Sequence, residues 1–139
     1  MNHIISSNVL AIVISTEKNN NGANFTLKSI KTGKDFTYKI SRKSYKGNWY
    51  THISVEKNYL EFDYLGSYFK GKIFKKGSVN NSDSSNAIAF VLGAVEAGRF
   101  DFLDSTMELM HTGNCLTCGK ELTDASSIER GLGPICASR

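Results

Sequence analysis

Residues 111–136 read HTGNCLTCGKELTDASSIERGLGPIC, and this stretch decides how the C-terminal third of the chain folds. It contains His111, Cys115, Cys118 and Cys136 in the spacing H-x3-C-x2-C-x17-C. Two thiolates three positions apart can hold one ion from a tight turn, and the glycine after the second lets the backbone fold beneath that ion. The pattern therefore predicts a closed, structural Zn²⁺ site of three sulfurs and one nitrogen.

The fourth ligand is assigned to a histidine, because the chain has only three cysteines. His111 lies four residues before Cys115, so both can face one ion across a short turn. His3 and His52 are alternatives that would have to reach the site from elsewhere, and a lone histidine is often an ordinary surface or core residue. A redox C-x-x-C motif needs a strand–helix context, whereas the residues after Cys118 are typical of a turn that leaves a knuckle.

Residues 115–136 also resemble a small domain found in many phage and bacterial proteins, a family of unknown function. Its pattern is C-x-x-C-G-[RK]-x-L-T-[DV]-P-x-S-I-x-x-G-[IF]-G-P-x-C, often with an upstream histidine. The matching positions are Gly119, Leu122, Thr123, Ser127, Ile128, Gly131, Gly133 and Pro134. Ala125 stands where the family usually has proline. This difference affects the start of a helix and leaves the metal ligands unchanged. The resemblance implies a zinc-binding, phage-type protein and supplies no reaction.

The resemblance extends more weakly upstream, to a phage subfamily in which a β-rich N-terminal region precedes this module. It is carried by residues 25–29, 31–34, 36–39 and 64–66. It implies that most of the chain follows the subfamily, although only the C-terminal third is specific.

The length of 139 residues suits one domain, or one domain plus a metal-stapled appendage. No apolar run approaches the roughly 18 residues of a membrane span, and no signal-peptide cleavage pattern follows the apolar segment at residues 4–14. Three thiols at metal spacing favour a reducing compartment over a disulfide framework. We therefore expect a cytoplasmic protein, in the host bacterial cytoplasm if the chain is phage-encoded.

Charge is distributed unevenly along the chain. Residues 1–77 carry 13 Lys/Arg against 5 Asp/Glu, a net charge of +8, whereas residues 78–139 carry 4 against 8, a net charge of −4. Together they give the overall +4. A basic half can meet an anionic partner such as nucleic acid. The alternative is that these lysines only solubilise the outer face of a sheet.

Residues 1–77 predict a β-rich basic region. Strand signals occur at residues 9–16, 23–30, 36–41, 49–55, 59–69 and 72–74. Apolar and polar residues alternate with a period of two, typical of a half-buried antiparallel sheet. Turns are expected at residues 19–22 and 31–34, and bulges or bends at Gly66 and Gly71. The fold class is thus α+β, with a curved antiparallel sheet or small barrel of five to six strands. An oligonucleotide-binding-type barrel is one candidate.

The middle of the chain predicts a linker and one packed helix. Residues 77–86 are rich in Gly, Ser and Asn and end at two candidate N-caps, Ser84 and Ser85. Residues 87–97 follow with apolar residues at helical spacing, and Gly98 is a natural stop. The apolar stripe consists of Ile88, Val91, Leu92 and Val95.

Two further segments follow the β-rich basic region. Residues 84–105 are the helix and connector packed on the sheet, and residues 106–139 are the zinc-binding module. A short strand at residues 106–110 would deliver His111 to the metal, and residues 126–130 predict a helical turn capped by Asp124. Asp101 and Asp104 are expected to decorate a loop.

Basic and aromatic residues gather on one side of the predicted sheet. They are Lys28, Lys39, Arg42, Lys43, Lys46, Trp49 and Tyr50. Cations can hold phosphates while bases stack on aromatic rings, so this set predicts a nucleic-acid-binding surface. The alternative is that one of Trp49 and Tyr50 belongs to the core and the other to the rim.

We expect no enzymatic activity. Zinc deaminases carry an H-x-E or C-x-E segment before P-C-x-x-C, and this sequence has neither. Gly131-Leu-Gly133 lacks the strand, the GK[ST] ending and the helix of a P-loop. The predicted function is a non-enzymatic zinc-binding protein that binds DNA or another nucleic acid. The alternative is a phage anti-defence or host-takeover factor that binds a bacterial protein or sequesters a signalling nucleotide.

Overall fold

The computed structural model describes residues 3–15, 17, 20–58, 61–69, 72–75, 83–117 and 120–133. Its strands are β1 (His3–Ile5), β2 (Asn20–Ser29), β3 (Asp35–Tyr45), β4 (Asn48–Asn58), β5 (Glu61–Phe69), β6 (Lys72–Lys75) and β7 (Met107–His111). They form one antiparallel sheet in the order β1-β7-β2-β3-β4-β5-β6. Since β1 and β6 are the two edges, the sheet is open. The predicted α+β class is confirmed, and the alternative of a small barrel is wrong.

Four helices accompany the sheet in the described residues, where one packed helix was predicted. They are α1 (Val9–Ser15), α2 (Asp83–Glu96), α3 (Phe100–Thr106) and α4 (Ala125–Arg130). Apolar side chains of α1, α2 and α3 share one core cluster with the inward face of the sheet. The buried hydroxyl of Tyr38 donates to the carbonyl of Ser84 at 2.7 Å, which fixes the start of α2 against β3.

Alternation along the strands separates a buried face from an open face. The buried positions are Phe25 and Leu27 in β2, Tyr38 and Ile40 in β3, Ile53 and Val55 in β4, and Leu109 in β7. Cross-strand partners such as Tyr38 with Val55 and Ile40 with Ile53 lie on the same face. The period-two prediction for these strands is confirmed, and the remaining face carries the polar side chains.

The apolar run at residues 9–16 was predicted as a strand, and this is wrong. Val9–Ser15 forms α1, in which Val9, Leu10 and Val13 face the core. Contacts from a residue far along the sequence fix the start of this helix. The carboxylate of Asp104 in α3 accepts from the Ser7 backbone N–H and the Ser6 hydroxyl, both at 2.8 Å. Tertiary anchoring of this kind overrides the β propensity of valine and isoleucine. Asp104 therefore does more than decorate a loop.

The two predicted turns of the N-terminal region have different outcomes. Residues 31–34 form the β2–β3 turn, in which the Ser29 N–H donates to the Lys34 carbonyl at 2.8 Å and Gly33 has φ 73°. The turn expected at residues 19–22 is wrong, because Asn20–Ser29 is already strand β2. The asparagine–glycine stretch instead absorbs a register shift between Asn20 and Ala23.

A β-bulge in β5 confirms the irregularity predicted at Gly66. Tyr64 pairs with Ser54 and Gly66 pairs with Ile53, so Leu65 is an extra residue on its strand. Gly66 has φ 151°, a conformation that favours glycine. The bulge reverses the phase of β5, so Tyr64 and Ser67 both face outward. Gly71 lies outside the described residues.

Helix α2 starts earlier than predicted, at Asp83, and ends at Glu96. Ser84 and Ser85 are buried in its first turn and are not the N-caps. Gly98, with φ 72°, ends this helical segment as predicted. The part of the predicted linker at residues 77–82 lies outside the described residues. None of the described helices is long and apolar enough to cross a bilayer.

Strand β7 enters the sheet between β1 and β2. Leu109 pairs with Ile5 on one side and with Leu27 on the other. The predicted strand that delivers His111 is therefore confirmed, and it belongs to the main sheet. Position 111 lies on the buried face with Leu109.

Candidate functional site

The two described flanks of the predicted knuckle are paired with each other and hold the first cysteine of the predicted metal site. The Leu122 N–H donates to the Gly113 carbonyl at 2.7 Å, and the Cys115 N–H donates to the Lys120 carbonyl at 2.8 Å. Cys115 is fully buried, and its Sγ lies 3.2 Å from the hydroxyl oxygen of Thr117. These two bonds join residues 113–115 to residues 120–122, and the Cys115 sulfur lies inside the module.

Helix α4 closes the module as predicted, with Asp124 as its N-cap. The Asp124 carboxylate accepts from the Ser127 N–H at 3.1 Å and from the Ser126 hydroxyl at 2.8 Å. Hydrogen bonds from the Ser127 side chain, the Ser126 side chain and the Ser127 backbone lower the pKa of Asp124 to about 2. At the other end, Gly131 adopts φ 74° and its N–H donates to the Ser127 carbonyl.

The module is docked on the main sheet through apolar contacts. Leu116, Leu122 and Leu132 belong to the same core cluster as Ile5. The Leu116 N–H donates to the Gly131 carbonyl at 2.9 Å, which joins the knuckle to the end of α4. The module therefore draws part of its core from the sheet, and does not rely on its own side chains alone.

His111 makes hydrogen bonds with both ring nitrogens. Nε2 lies 2.6 Å from the carbonyl oxygen of Ile128, and Nδ1 lies 3.0 Å from the Gly113 backbone nitrogen. Because a carbonyl only accepts and a backbone N–H only donates, the ring is the neutral Nε2–H tautomer. Burial lowers the pKa of His111, the hydrogen bond to Ile128 opposes this, and the nearby His3 lowers it further.

This arrangement defines how His111 could bind a metal. Zinc-bound histidines commonly donate the second ring N–H to a backbone carbonyl, and the bond from Nε2 to Ile128 is of that type. Nδ1 would be the coordinating atom, and in this structure it accepts the Gly113 N–H. Cys118 and Cys136 lie outside the described residues, within which no group of three His, Cys, Asp or Glu residues could hold a metal.

The two alternative histidines occupy different places. His3 pairs with His111 across β1 and β7, and their ring centroids are 5.2 Å apart. His52 lies on the open face of the sheet, because its strand neighbours Thr51 and Ile53 are buried. The sheet thus separates His52 from the module, and leaves His111 and His3 on the side where α4 packs against β1.

The predicted nucleic-acid-binding residues divide between the two faces of the sheet. Lys28, Lys39, Lys43 and Tyr50 lie on the open face, as strand alternation and register place them. Lys46 is in the β3–β4 turn with φ 50°, and Gly47 follows with φ 81°, as a type I′ hairpin requires.

Arg42 and Trp49 are on the other face. Arg42 is only 5% exposed, and its guanidinium donates to the Thr51 hydroxyl at 3.0 Å. It also lies 6.0 Å from the ring centre of Trp49. Trp49 and Tyr50 point to opposite faces of the sheet and both are half-buried, so neither is a fully buried core residue.

The three lysines of the open face differ in their surroundings. Lys28 is flanked across the sheet by Asp35 in β3 and Glu108 in β7. Lys39 has Asn24 and Ser54 as its cross-strand neighbours. Among these lysines, Lys28 is therefore the one with a carboxylate residue as its cross-strand partner on both sides.

Several residues of this face were missed by reading the sequence. They are Tyr45, His52, Phe62, Tyr64, Ser67 and Phe69. Tyr50 and Phe69 have ring centroids 4.7 Å apart, and the Lys39 Nζ lies 5.8 Å from the Phe62 ring centre. Alternation along β4 could have assigned His52 to the open face. The bulge in β5 prevents the same assignment for Phe62 and Tyr64 from alternation alone.

Comparison with known proteins adds one finding. No curated protein and no solved structure matches the chain significantly. Residues 108–139 match a family described as "Family of unknown function (DUF6011)". The matched segment covers most of β7, the knuckle and α4, and it is the segment that carries the cysteine spacing. The C-terminal segment of this chain is therefore similar to DUF6011.

Proposed function

We propose that this protein binds single-stranded nucleic acid through the open face of its sheet and has no enzymatic activity. One observation carries the proposal. Lysines and aromatic rings stand side by side over β3 to β5, on a face that the described core helices do not cover. Lysines can hold the phosphates of a strand while its bases stack on aromatic rings, in a way that tolerates many sequences.

We further propose that the C-terminal module holds one Zn²⁺ through His111, Cys115, Cys118 and Cys136. The cysteine spacing, the buried Cys115 and the backbone hydrogen bonds that join residues 113–115 to residues 120–122 support this assignment. The ion would brace the module against β1 and β7, where Leu116 and Leu132 already pack. A metal with four protein ligands keeps no position for water, so its role would be structural.

The phage origin and the anti-defence or host-takeover role stay predictions from the resemblance. Binding of a bacterial protein has no specific support in the described surface. Sequestration of a nucleotide has some support, because the basic and aromatic face contains a depression of about 470 Å³. This second candidate uses the same side chains as the first.

The proposal is tested by fluorescence anisotropy with labelled single-stranded DNA, single-stranded RNA and duplex DNA over a range of salt. Binding to single strands should weaken steeply with salt. Lys39→Ala should reduce affinity and lower the salt slope by roughly 0.7, the value for one phosphate contact on a single strand.

Lys28→Ala is the matched control, because Lys28 lies on the same face between two carboxylates. We expect it to change affinity much less than Lys39→Ala. Absence of binding to all three probes at low salt would overturn the proposal. Equal effects of the two substitutions would show that the binding surface is assigned wrongly.

A further inference from the structure

Three polar atoms of the open face lie within hydrogen-bonding distance of one another. The His52 Nδ1 is 3.1 Å from the Tyr64 hydroxyl oxygen and 2.9 Å from the Ser67 hydroxyl oxygen. The two hydroxyl oxygens are 2.7 Å apart. We refer to His52, Tyr64 and Ser67 as the hydroxyl–imidazole cluster.

The bulge in β5 creates this cluster. Residues three positions apart in a regular strand point to opposite faces. Because Leu65 is an extra residue, Tyr64 pairs with Ser54 while Ser67 pairs with His52, and both point outward. Without the bulge, Ser67 and Tyr64 could not meet the same imidazole.

The cluster borders the depression of about 470 Å³. Its lining consists of Lys43, Ser44, Tyr45, Tyr50, His52 and Ser67. These side chains are cationic, hydroxyl-bearing or aromatic. Tyr45 is 62% exposed at the rim, and Tyr50 rests against Phe69 on the other side. The depression thus offers hydroxyl donors and a cation beside open ring surface.

The protons of the cluster favour an anionic ligand. When the His52 Nδ1 is unprotonated, the Tyr64 and Ser67 hydroxyls supply only two protons for the three close contacts. One of the three contacts is then not a hydrogen bond. An oxyanion gives both hydroxyls an acceptor to which they can rotate, and hydrogen bonds to an ionised acceptor are the stronger kind. Burial lowers the pKa of His52 and Lys43 lowers it further, so Lys43 supplies the positive charge at neutral pH.

We propose that this depression is a phosphate-binding subsite that takes one nucleotide, with its phosphate on Lys43, Tyr64 and Ser67 and its base on Tyr45. The subsite rests on the proposed function and deepens it, because it would fix the register of a bound strand. The same chemistry would accept a free nucleotide, so the test must separate the two sources.

The test is a two-dimensional NMR titration of the full chain at neutral pH with inorganic phosphate, AMP and a short single-stranded oligonucleotide. All three probes should shift the His52 imidazole and Ser67 amide signals, and AMP should bind more tightly than phosphate because its base can stack. Tyr64→Phe and Ser67→Ala should each weaken AMP binding by roughly 2- to 12-fold, the loss of one hydrogen bond.

Ser54→Ala is the control, since Ser54 is a neighbouring serine of the open face outside the cluster. Melting temperatures of all variants establish that they fold. If the oligonucleotide binds but Tyr64→Phe, Ser67→Ala and Ser54→Ala leave affinity unchanged, the subsite is wrong and the proposed function stands.

If phosphate and AMP bind at the cluster while the oligonucleotide does not, the subsite stands as a free-nucleotide site and strand binding fails. If no probe shifts His52, the subsite is overturned whatever the oligonucleotide does.

Discussion

Arg42 and Lys43 are adjacent in the chain and lie on opposite faces of the sheet. Arg42 is buried beside Thr51, while Lys43 is exposed and pairs with Tyr50 across β3 and β4. Two cations that the sequence places in one basic cluster therefore have different roles. One is held within the structure, and the other is available to a ligand.

Arg42→Ala should destabilise the protein, because it removes the hydrogen bond to Thr51 and the packing on Trp49. We expect a loss of about 1–3 kcal/mol in the free energy of unfolding. Lys43→Ala should change that free energy by less than about 0.5 kcal/mol. Urea denaturation measures both. An unchanged midpoint for Arg42→Ala together with lost nucleic-acid binding would contradict this assignment.

Cys115→Ser should release the metal from the C-terminal module. Elemental analysis should give about one zinc per wild-type chain and almost none for the variant, because metal binding in such modules supplies roughly 10 kcal/mol or more. Thr117→Ala is a control that keeps the thiols. The core shared with Ile5 should leave the main sheet folded, so amide signals of β3 and β4 should persist. A wild-type protein without zinc would refute the site.

His111→Ala should lower zinc retention during dialysis against a chelator, because the Nδ1 atom is the proposed coordinating atom. His3→Ala is the matched control, since His3 stacks on His111 without being assigned to the metal. If His111→Ala keeps its zinc and only melts at a lower temperature, the bonds to Gly113 and Ile128 are the whole role of this ring. The fourth ligand would then be another group.

Gly131→Ala should destabilise the module. Its φ of 74° disfavours residues with a Cβ, and a Cβ there would lie 2.8 Å from Ile5 Cδ1. The left-handed conformation alone costs about 1–2 kcal/mol. Gly133→Ala is the control, because its added Cβ would meet Leu122 at an ordinary 3.9 Å. Thermal unfolding compares them, and equal melting temperatures would contradict the docking described for Gly131.

The Asp124 cap should make part of the stability depend on acid pH. Its pKa is about 2 in the folded chain, against about 3.9 for an ordinary aspartate. The cap therefore stabilises above about pH 4 and is lost as the pH falls toward about 2. Asp124→Asn should reduce stability at about pH 5 and match the wild type near pH 2. A difference between the two proteins that stays constant over this range would exclude the carboxylate as its source.

Several short-range signals in the sequence predicted the local structure correctly. Asp124 before a helical turn, Gly98 after one, and the Lys-Thr-Gly-Lys turn at residues 31–34 all appear as predicted. Each depends on a few neighbouring residues whose backbone preferences agree. Local preference was misleading at α1, because bonds from Asp104, almost a hundred residues away, hold the start of that helix.

The faces of the sheet needed information that spans strands. Alternation within β3 alone places Lys39 and Lys43 on one face and Arg42 on the other. The outward positions of Tyr64 and Ser67 depend on one extra residue in β5, which no period-two count reveals. The cluster around His52 could therefore not be predicted from the sequence, although its two strands, β4 and β5, were both predicted.

The place of β7 between β1 and β2 has a consequence for synthesis of the protein on the ribosome. Residues 3–5 find their strand partner only when residues 107–111 have emerged, about a hundred residues later. At typical translation rates of about 5–20 residues per second, the first strand waits for roughly 5–20 s without its neighbour. The β2–β5 meander can assemble during that delay, and the N-terminal edge joins it last.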